Sequence, residues 1–477
     1  MSDCCTNQTT RDDPHLAIIG GGAAAFAAAI KASEFGAQVT IINEGLPIGG
    51  TCVNVGCIPS KNLIRAAEAH YRGNHYNFSG ISSSPLAVDF KDVIGQKREL
   101  VQDLRQAKYF DVVKDIANIE ILEGRGKLVS PRIVEINGKH IRADRILIAT
   151  GASPMVPSIP GLADAGYLTN ETAFDLDYLP ESLIVLGGRY IALEVTQMFA
   201  RFGSKVTMLQ RSDRILPTES EDLTASLTGY LTQEGVTVVT NTEVRQVVRS
   251  SGMVLVKASF DGVPKDFSAS EILVATGRRP NTDDMGLETI GCDLDSRGFL
   301  KVDEGLETGI RGVYGAGDVI GEPMFVYTAA YEGALAAENA ILGSFNRRDY
   351  TALPWVIFTD PQVAGVGSDE RQAAAKGINV DVATLPLSKV PRSLVARDTR
   401  GFIRLIRDSE TDQLLGARIL APEGSELLME VGLAIRHGIT VRELASSFHP
   451  YLTLSEGIKL AALTFDKDVN KLSCCAA

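Results

Sequence analysis

The chain lacks the features of several protein classes. Its 477 residues carry 47 basic and 59 acidic side chains, a formal charge of −12, so no basic surface for nucleic acid is expected. No apolar run reaches the roughly 20 residues that a membrane span needs. The apolar stretch 16–30 is short, and the acidic residues before it are unlike the basic start of a secretory signal. We therefore expect a cytoplasmic protein with no membrane span and no nucleic-acid partner.

Cysteine is also scarce, with seven residues, too few for a disulfide framework. Six of the seven nevertheless come in close pairs, at 4–5, at 52 and 57, and at 474–475. In a reducing compartment such pairs indicate redox chemistry or a thiophilic metal. Cys292 lies alone in a turn-like stretch and is predicted to be a bystander.

The order of apolar runs and glycines predicts an α/β fold. The run 16–19 precedes a glycine turn and an alanine-rich helix to Phe35, and the run 39–42 follows. This strand–turn–helix–strand order is that of a dinucleotide-binding unit. Its fingerprint and acidic residues are Gly20, Gly22, Ala25 and Glu44. An acid at this position binds a free ribose hydroxyl, which favours a dinucleotide such as FAD.

The same pattern recurs later in the chain. "SLIVL" at 182–186 precedes a glycine turn and a helix, and "VTML" at 206–209 follows. The fingerprint residues are Gly187 and Ala192, with Arg189 in the place of the middle glycine. Two units framed in this way predict two Rossmann-like domains.

The second unit differs from the first at the acidic position. Gln210 stands there, followed by Arg211 and nearby Arg214. An acid would repel a 2′-phosphate, whereas arginine pairs with it, so we predict that this unit prefers NADPH. A solvated basic face is the alternative.

Two similar segments, "ILIATGASP" at 146–154 and "ILVATGRRP" at 272–280, each close a nucleotide-binding unit. Strands at 401–408 and 414–420, before an amphipathic helix at 426–437, predict a C-terminal α+β interface domain. The predicted divisions are a disordered 1–14, an FAD-binding domain of 15–150 and 281–350, an NADPH-binding domain of 151–280 and a dimerisation domain of 351–477.

The stretch "GGTCVNVGCIPSK" at 49–61 carries the predicted chemistry. Cys52 and Cys57 are too far apart for a C-x-x-C motif and lack the second pair of a zinc site. Gly56 and a distorted first helical turn could bring the two cysteines within disulfide range, and a helix N-terminus would favour the thiolate. We interpret the pair as a dithiol switch beside a flavin, with a structural disulfide as the alternative.

These motifs together, with "YGAGD" at 314–318, resemble the flavoprotein disulfide reductases over residues 15 to 477. The resemblance implies a homodimer in which Cys57 lies next to the flavin and Cys52 exchanges with the substrate. It also implies an ion pair near the flavin between Lys61 and Glu194. Further cofactor contacts are implied for Thr51, Gly126, Thr150, Gly151, Gly277 and Asp318.

The C-terminal segment narrows the substrate. Reductases of organic disulfides in this family carry His-Pro-Thr-x-x-Glu, and the matching stretch here is "YLTLSE", with Tyr451 in the His place and Glu456 in the Glu place. Tyrosine, with an ordinary pKa near 10, is a poor base at neutral pH, which argues against an organic disulfide. His449 is out of register and is predicted to be structural.

The tail pair Cys474–Cys475, together with Tyr451 and Tyr327, is similar to the members of the family that reduce mercury. Hg(II) is a soft cation that prefers thiolates, and it moves between thiol pairs by exchange. The tail pair is predicted to collect Hg(II) and pass it to Cys52 and Cys57. The resemblance implies that these belong to the partner subunit, and transfer within one subunit is the alternative. Electrons from NADPH would then pass through FAD to give Hg(0).

Three other functions are less consistent with the sequence. A large-type thioredoxin reductase shares the thiol motif but needs the histidine that Tyr451 replaces. A dihydrolipoamide dehydrogenase would prefer NAD and has no tail pair. A metal-sequestering protein would not need two intact nucleotide units. Cys4–Cys5 is either a small substitute for an N-terminal metal-binding module or an incidental pair.

Overall fold

The computed structural model describes residues 13–81 and 86–468, so the cysteine pairs at 4–5 and 474–475 lie outside the described residues. The chain forms two compact units. The first comprises the chain up to Pro59, Gly95–Met155 and Gly277–Arg348. The second comprises the remaining described residues. Each unit contains a parallel sheet, which confirms the predicted α/β class with two Rossmann-like parts.

The first unit is built on a five-stranded parallel sheet. In spatial order its strands are Val313–Gly315, Arg145–Ile148, His15–Ile19, Gln38–Asn43 and Ile119–Glu123. Leu16, Ala17 and Ile18 are fully buried, because a parallel sheet covered on both faces needs continuous apolar runs. The helices Ala23–Glu34 and Val326–Leu342 pack closely together, and a Cβ on Gly333 would lie 2.1 Å from the carbonyl oxygen of Ala24.

The other elements of the first unit are short. Its smaller sheets are antiparallel and pair Lys127–Ser130, Ile133–Ile136 and Lys139–Arg142 with one another, and Ala152–Pro154 with Arg278–Pro280. Its other helical segments are Gly50–Asn54, a π-helical Gln106–Phe110, Asp111–Val113, Leu287–Ile290 and a 3₁₀ turn Asp318–Ile320. The helices Cys57–Asn74 and Phe90–Arg105 each have residues in both units.

The second unit contains the second nucleotide-binding pattern. Its four-stranded parallel sheet has the order Thr237–Val239, Lys205–Leu209, Ser182–Leu186 and Glu271–Val274. A three-stranded antiparallel sheet follows, formed by Thr242–Ser250, Met253–Phe260 and Val263–Ala269. The helices of this part are Leu162–Ala165, Asn170–Ala173, Tyr190–Phe202 and Glu221–Gln233.

The C-terminal part of the second unit is an α+β domain. Its five-stranded antiparallel sheet has the order Pro354–Ile357, Gln362–Gly367, Leu414–Ala421, Phe402–Asp408 and Val380–Pro386. Its helical segments are Glu370–Ala375, Leu387–Lys389, Pro391–Val395, Gly424–Leu427, Leu428–Arg436, Val441–Ser446 and Glu456–Leu463. The helix predicted at 426–437 is therefore divided into a 3₁₀ turn and a shorter α-helix.

The compact units do not follow the predicted divisions at every point. The stretch 60–94, which the sequence assigns to the FAD-binding domain, clusters with the second unit. The predicted NADPH-binding and dimerisation domains share that unit but have separate sheets. The three-domain division stays a prediction. None of the helices within 13–81 and 86–468 is long and apolar enough to cross a membrane.

Candidate active site

Two glycines of the first nucleotide turn differ in the room that they leave for a side chain. Gly20 follows the strand His15–Ile19 with φ of +127°, and a Cβ there would lie 2.1 Å from the carbonyl oxygen of Ala149. Gly22 caps the helix Ala23–Glu34 in extended backbone, and its nearest neighbour is Gly50, with 3.7 Å from its would-be Cβ to the Gly50 Cα. A side chain at Gly20 therefore collides with backbone, whereas a Cβ at Gly22 meets its nearest atom at an ordinary contact distance.

The second turn repeats this construction. A Cβ on Gly187, with φ of +123°, would lie 2.4 Å from the carbonyl oxygen of Ala275. Ala149 and Ala275 each begin one of the two "ATG" segments. The carbonyl that limits the space at each turn therefore comes from the equivalent position of the motif. Arg189 caps its helix in extended backbone, as Gly22 does, so its side chain is tolerated.

The third fingerprint positions are packing sites. Ala25 and Ala192 are both buried, because the helix crosses close to the strand at this point.

The predicted ribose and phosphate residues lie at the ends of the second strands. Glu44 is exposed, 3.9 Å from the guanidinium of Arg125. Arg211 is exposed and Arg214 is about one-third exposed. In the described part of the chain, Nε of Arg214 is buried without a hydrogen-bond partner. A buried, unsatisfied guanidinium N–H favours an anionic ligand at this place.

A charged cluster in the first unit adds a residue that the sequence did not single out. Arg278 lies 3.5 Å from the carboxylate of Asp318 and 3.5 Å from the hydroxyl of Thr51. Burial raises the pKa of Asp318, and the Arg278 charge opposes this rise. Nε of Arg278 is buried without a hydrogen-bond partner among the described residues. Arg278 directly follows the second "ATG" segment, which was the available sequence signal.

The remaining predicted flavin contacts differ in their surroundings. A Cβ on Gly126 would lie 3.1 Å from Ile19. Thr150 donates its hydroxyl to the carbonyl of Asn281 at 2.7 Å, and Gly151 has φ of +70°. Gly277 also has positive φ, +136°.

Cys52 and Cys57, hereafter the thiol pair, lie on two successive helical segments. Cys52 is in Gly50–Asn54, and Cys57 is the first residue of Cys57–Asn74, where the helix dipole favours a thiolate. Both residues are half-buried. Gly56 fits between the segments because a Cβ there would lie 2.8 Å from the carbonyl oxygen of Thr51.

Asn54 supports the segment that carries Cys52. Its Nδ2 donates to the carbonyls of Pro47 and Gly50, both at 2.9 Å, and its Oδ1 accepts from Arg105 at 3.1 Å. These bonds hold the segment between the two cysteines in place.

Tyr109 lies within electrostatic reach of the thiol pair. Burial, and then the charges of the two thiolates, raise the pKa of Tyr109 to about 12. Its ring packs edge-to-face on Phe26 and next to the backbone of Gly49. Tyr109 belongs to the π-helical segment Gln106–Phe110, a rare conformation that often marks functional sites. Sequence reasoning missed this residue because no local pattern predicts a π-helical turn.

In the second unit, Lys61 and Glu194 form the expected pair. Nζ of Lys61 lies 2.7 Å from Oε2 of Glu194, whose side chain is 9% exposed. Oε1 of the same carboxylate accepts from the backbone N–H of Phe358 at 2.9 Å. Nζ of Lys61 also lies 4.7 Å from the centre of the Phe358 ring.

The predicted C-terminal residues are placed as follows. Tyr451 is exposed, and Glu456 begins the helix Glu456–Leu463, where it accepts from the backbone N–H of Leu452 at 3.2 Å. The imidazole of His449 lies 2.5 Å from the carboxylate of Glu430.

Tyr327, in the first unit, is exposed, and its ring stacks on Phe325 with 5.2 Å between ring centres. Its role stays a prediction. Cys292 is buried, and burial raises the pKa of its thiol, which agrees with an inert residue.

Residues 14–333 match the family described as pyridine nucleotide-disulphide oxidoreductase, and residues 353–462 match the dimerisation domain of that family. The chain belongs to the pyridine nucleotide-disulphide oxidoreductase family. Similar members of the family include a protein named mercuric reductase from Streptomyces lividans, 44% identical over 97% of this chain and 98% of that protein. Another of this name, from Staphylococcus aureus, is 41% identical over 97% of this chain and 84% of that protein.

Solved structures place the fold in the same group. The HOCl-induced flavoprotein disulfide reductase RclA from Escherichia coli has a TM-score of 0.85 at 30% identity, covering 95% of this chain and 100% of that one. LpdA from Mycobacterium tuberculosis has a TM-score of 0.83 at 28% identity, covering 95% and 100%. The predicted fold class and family are therefore confirmed.

The first unit of this pyridine nucleotide-disulphide oxidoreductase fits a flavin dinucleotide. The backbone of Gly22 lies close to that of Gly50, and Gly20 lies against the carbonyl of Ala149, so the turn forms a cradle of bare backbone that side chains would fill. Arg278 supports this fit, because its buried Nε makes no hydrogen bond within the described residues, although it pairs with Asp318 at 3.5 Å, and its Nη2 lies 3.5 Å from Thr51.

Proposed function

We propose that this chain is an NADPH-dependent mercury(II) reductase that uses FAD. The proposal rests on sequence identity of 41% and 44%, over 97% of this chain, to two proteins named mercuric reductase. Tyr451 in the place of the family's histidine supports it, because an exposed tyrosine is a poor general base for thiol chemistry at neutral pH.

The thiol pair holds the substrate in this proposal. Hg(II) is bound by two thiolates, and each transfer breaks one Hg–S bond as another forms, with the released thiolate taking up a proton from water. At Cys52 and Cys57 the metal receives two electrons and leaves as Hg(0), which returns both sulfurs as thiolates. NADPH supplies the electrons and becomes NADP⁺ with release of one proton.

FAD, when bound, would take the hydride of NADPH and pass its two electrons to the substrate. The residues proposed to hold it include Gly20, Gly22, Ala25, Glu44, Thr51, Gly126, Thr150, Gly151, Gly277 and Asp318, with Arg278 added by its unsatisfied donor. The pair Lys61–Glu194 directs a positive charge to the flavin.

Tyr109 is proposed as a hydrogen-bond donor at the thiol pair. Since its pKa is about 12, its hydroxyl keeps its proton at neutral pH. A neutral donor can stabilise a thiolate without competing for the metal, so the hydroxyl would lower the cost of releasing a sulfur from Hg(II).

The preference for NADPH over NADH rests on Arg211 and Arg214. Their guanidinium groups suit a 2′-phosphate, and Gln210 stands where an acid would repel it, while the exposed Asp213 pairs with Arg214 at 3.7 Å. Gly187, Ala192 and Glu194 complete the proposed NADPH-side residues.

The active enzyme is proposed to be a homodimer, supported by the match to the family's dimerisation domain. Cys474 and Cys475 are proposed to collect Hg(II), and Tyr327, Tyr451 and Glu456 to line its route to the thiol pair. A cytoplasmic location stays a prediction.

The proposal is tested by anaerobic NADPH oxidation with Hg(II) in excess small thiol. We expect NADPH to be consumed only when Hg(II) is present, with elemental mercury released as vapour in a one-to-one ratio. The matched reaction contains oxidised glutathione or thioredoxin in place of Hg(II). Turnover with either disulfide, and none with Hg(II), would refute the proposal in favour of an organic-disulfide reductase.

A further inference from the structure

A short segment of the C-terminal domain runs along one polar face of a helix in the nucleotide-binding part of the second unit. The backbone N–H groups of Phe358 and Asp360 donate to the side chains of Glu194 and Gln197, at 2.9 and 2.7 Å. Arg201 donates to the carboxylate of Asp360 at 3.0 Å. The three side chains are spaced by three and four residues, so they share one face of the helix. The position of Phe358 is therefore fixed by the hydrogen bond of its own N–H and by those of Asp360, two residues later.

This docking leaves both oxygens of the Glu194 carboxylate engaged. Oε1 accepts from the Phe358 backbone and Oε2 from Lys61. Hydrogen bonds to a charged acceptor are stronger than bonds between neutral groups. The carboxylate is thus held in one orientation, and Lys61 is directed by it.

Phe358 also contacts Lys61 through its ring. The ammonium lies 4.7 Å from the ring centre, within the distance of about 6 Å at which a cation is attracted to an aromatic face. The Lys61 side chain is 35% exposed, so its charge is only partly desolvated and the attraction is at the lower end, about 0.5–1 kcal/mol.

A competing position for the ammonium lies nearby. Lys61 and Phe358 line a cavity of about 180 Å³, and its other charged lining residues are the acids Glu68, Asp360 and Glu423 and the cation Arg65. These acids are paired with arginines, but each remains an acceptor with spare lone pairs. Four rotatable bonds would let Lys61 turn toward them, and this movement is opposed by the ion pair with Glu194 at 2.7 Å and, in addition, by the Phe358 ring.

We propose that Phe358 is a positioning residue for the flavin-side ion pair. Its backbone orients Glu194, and its ring keeps the Lys61 ammonium out of the acidic cavity and directed at the flavin. The inference rests on the proposed function only in taking Lys61 to face the bound flavin. It gives the C-terminal domain a part in setting the reduction potential.

The test measures the midpoint potential of the bound flavin in the holoenzyme. Phe358→Leu keeps the backbone N–H bond and removes the aromatic face, and Phe358→Met does so with an unbranched, more adaptable side chain should the leucine variant fold poorly. We expect the equilibrium constant for flavin reduction to fall about two- to fivefold, a potential about 10–20 mV more negative for this two-electron couple. Phe358→Tyr keeps the ring face and should restore the wild-type value.

Two further variants, Lys61→Met and Ile64→Val, separate the possible causes of a shift in the flavin midpoint potential. In the Lys61→Met background, Phe358→Leu should produce no further shift, because the ring then has no ammonium to hold. Ile64→Val alters the same cavity without touching the pair and should leave the potential unchanged.

Two results would overturn the proposal without affecting the mercury reaction. One is an unchanged potential in Phe358→Leu while Lys61→Met shifts it. The other is an equal shift in Ile64→Val, which would assign the effect to water in the cavity. If Lys61→Met itself leaves the potential unchanged, then the flavin role of Lys61 in the proposed function is what fails.

Discussion

The two glycines of the first nucleotide turn should respond in opposite ways to the same substitution. In Gly20→Ala the new methyl group meets the carbonyl oxygen of Ala149 at 2.1 Å, and the backbone must keep a φ of +127° that alanine disfavours. The strained backbone costs about 1–3 kcal/mol and the overlap with fixed backbone about 1–3 kcal/mol more. A loss of about 2–6 kcal/mol is a large part of the stability of an ordinary domain.

Gly22→Ala should leave the fold intact. Its φ of −95° suits alanine, and the nearest atom to the new methyl, the Cα of Gly50, lies at an ordinary 3.7 Å. The stability of the flavin-free protein should therefore change by less than about 0.5 kcal/mol. The methyl instead fills the cradle, and overpacking of about 1–3 kcal/mol corresponds to flavin binding roughly 5- to 150-fold weaker.

The assay compares urea unfolding of the flavin-free proteins with titration of each by FAD, followed by flavin fluorescence. We expect a lowered unfolding midpoint for Gly20→Ala and a wild-type midpoint with weak FAD binding for Gly22→Ala. Wild-type flavin affinity in Gly22→Ala would refute the cradle. A wild-type midpoint in Gly20→Ala would refute the importance of the carbonyl contact.

Other predictions concern the substrate, the donor hydroxyl and the nucleotide. Replacing Cys474 and Cys475 together by alanine should abolish turnover of thiol-bound Hg(II) in a steady-state assay. Reduction of the flavin by NADPH, followed by stopped flow, should stay normal. Unchanged turnover would show that the tail is not the entry point for Hg(II). A spectrophotometric titration should lose one tyrosine ionising near pH 12 in Tyr109→Phe. In a variant without the thiol pair, the pKa of Tyr109 should fall but stay above 10, because burial is the larger cause; a pKa that does not move would place the thiols out of reach. The double variant Arg211→Ala/Arg214→Ala should lower kcat/KM for NADPH about 10- to 100-fold, since hydrogen bonds to a charged phosphate contribute about 1.5–3 kcal/mol. The kcat/KM for NADH should change little. An equal loss with both nucleotides would contradict the assignment of these arginines to the 2′-phosphate.

The nucleotide-binding parts were predictable because their signals are local. The strand predicted at 182–186 is found with the same bounds, and the run 16–19 is extended by one residue, His15. A buried parallel strand must be apolar throughout, and the turn after it must be glycine, so the sequence has few alternatives there.

The parts that were not predicted depend on packing between distant segments. Tyr109 comes within electrostatic reach of the thiols from a π-helical turn, and Arg278 lies 3.5 Å from Thr51, which precedes it by 227 residues in the chain. Glu423, with φ of +54°, precedes the 3₁₀ turn that shortens the predicted C-terminal helix. None of these contacts has a periodic or spacing signal of its own.

The arrangement of the first sheet constrains how the protein is made. Arg145–Ile148 pairs with Val313–Gly315, although the whole stretch for the second nucleotide is synthesised between them. At roughly 5–20 residues per second, a ribosome leaves this edge of the sheet unpaired for on the order of ten seconds or more. During that interval Ile146 and Ile148, fully buried in the finished protein, border an open strand edge. We expect the nascent chain to be most vulnerable to aggregation in this window, and to capture its flavin only after Val313–Gly315 has emerged.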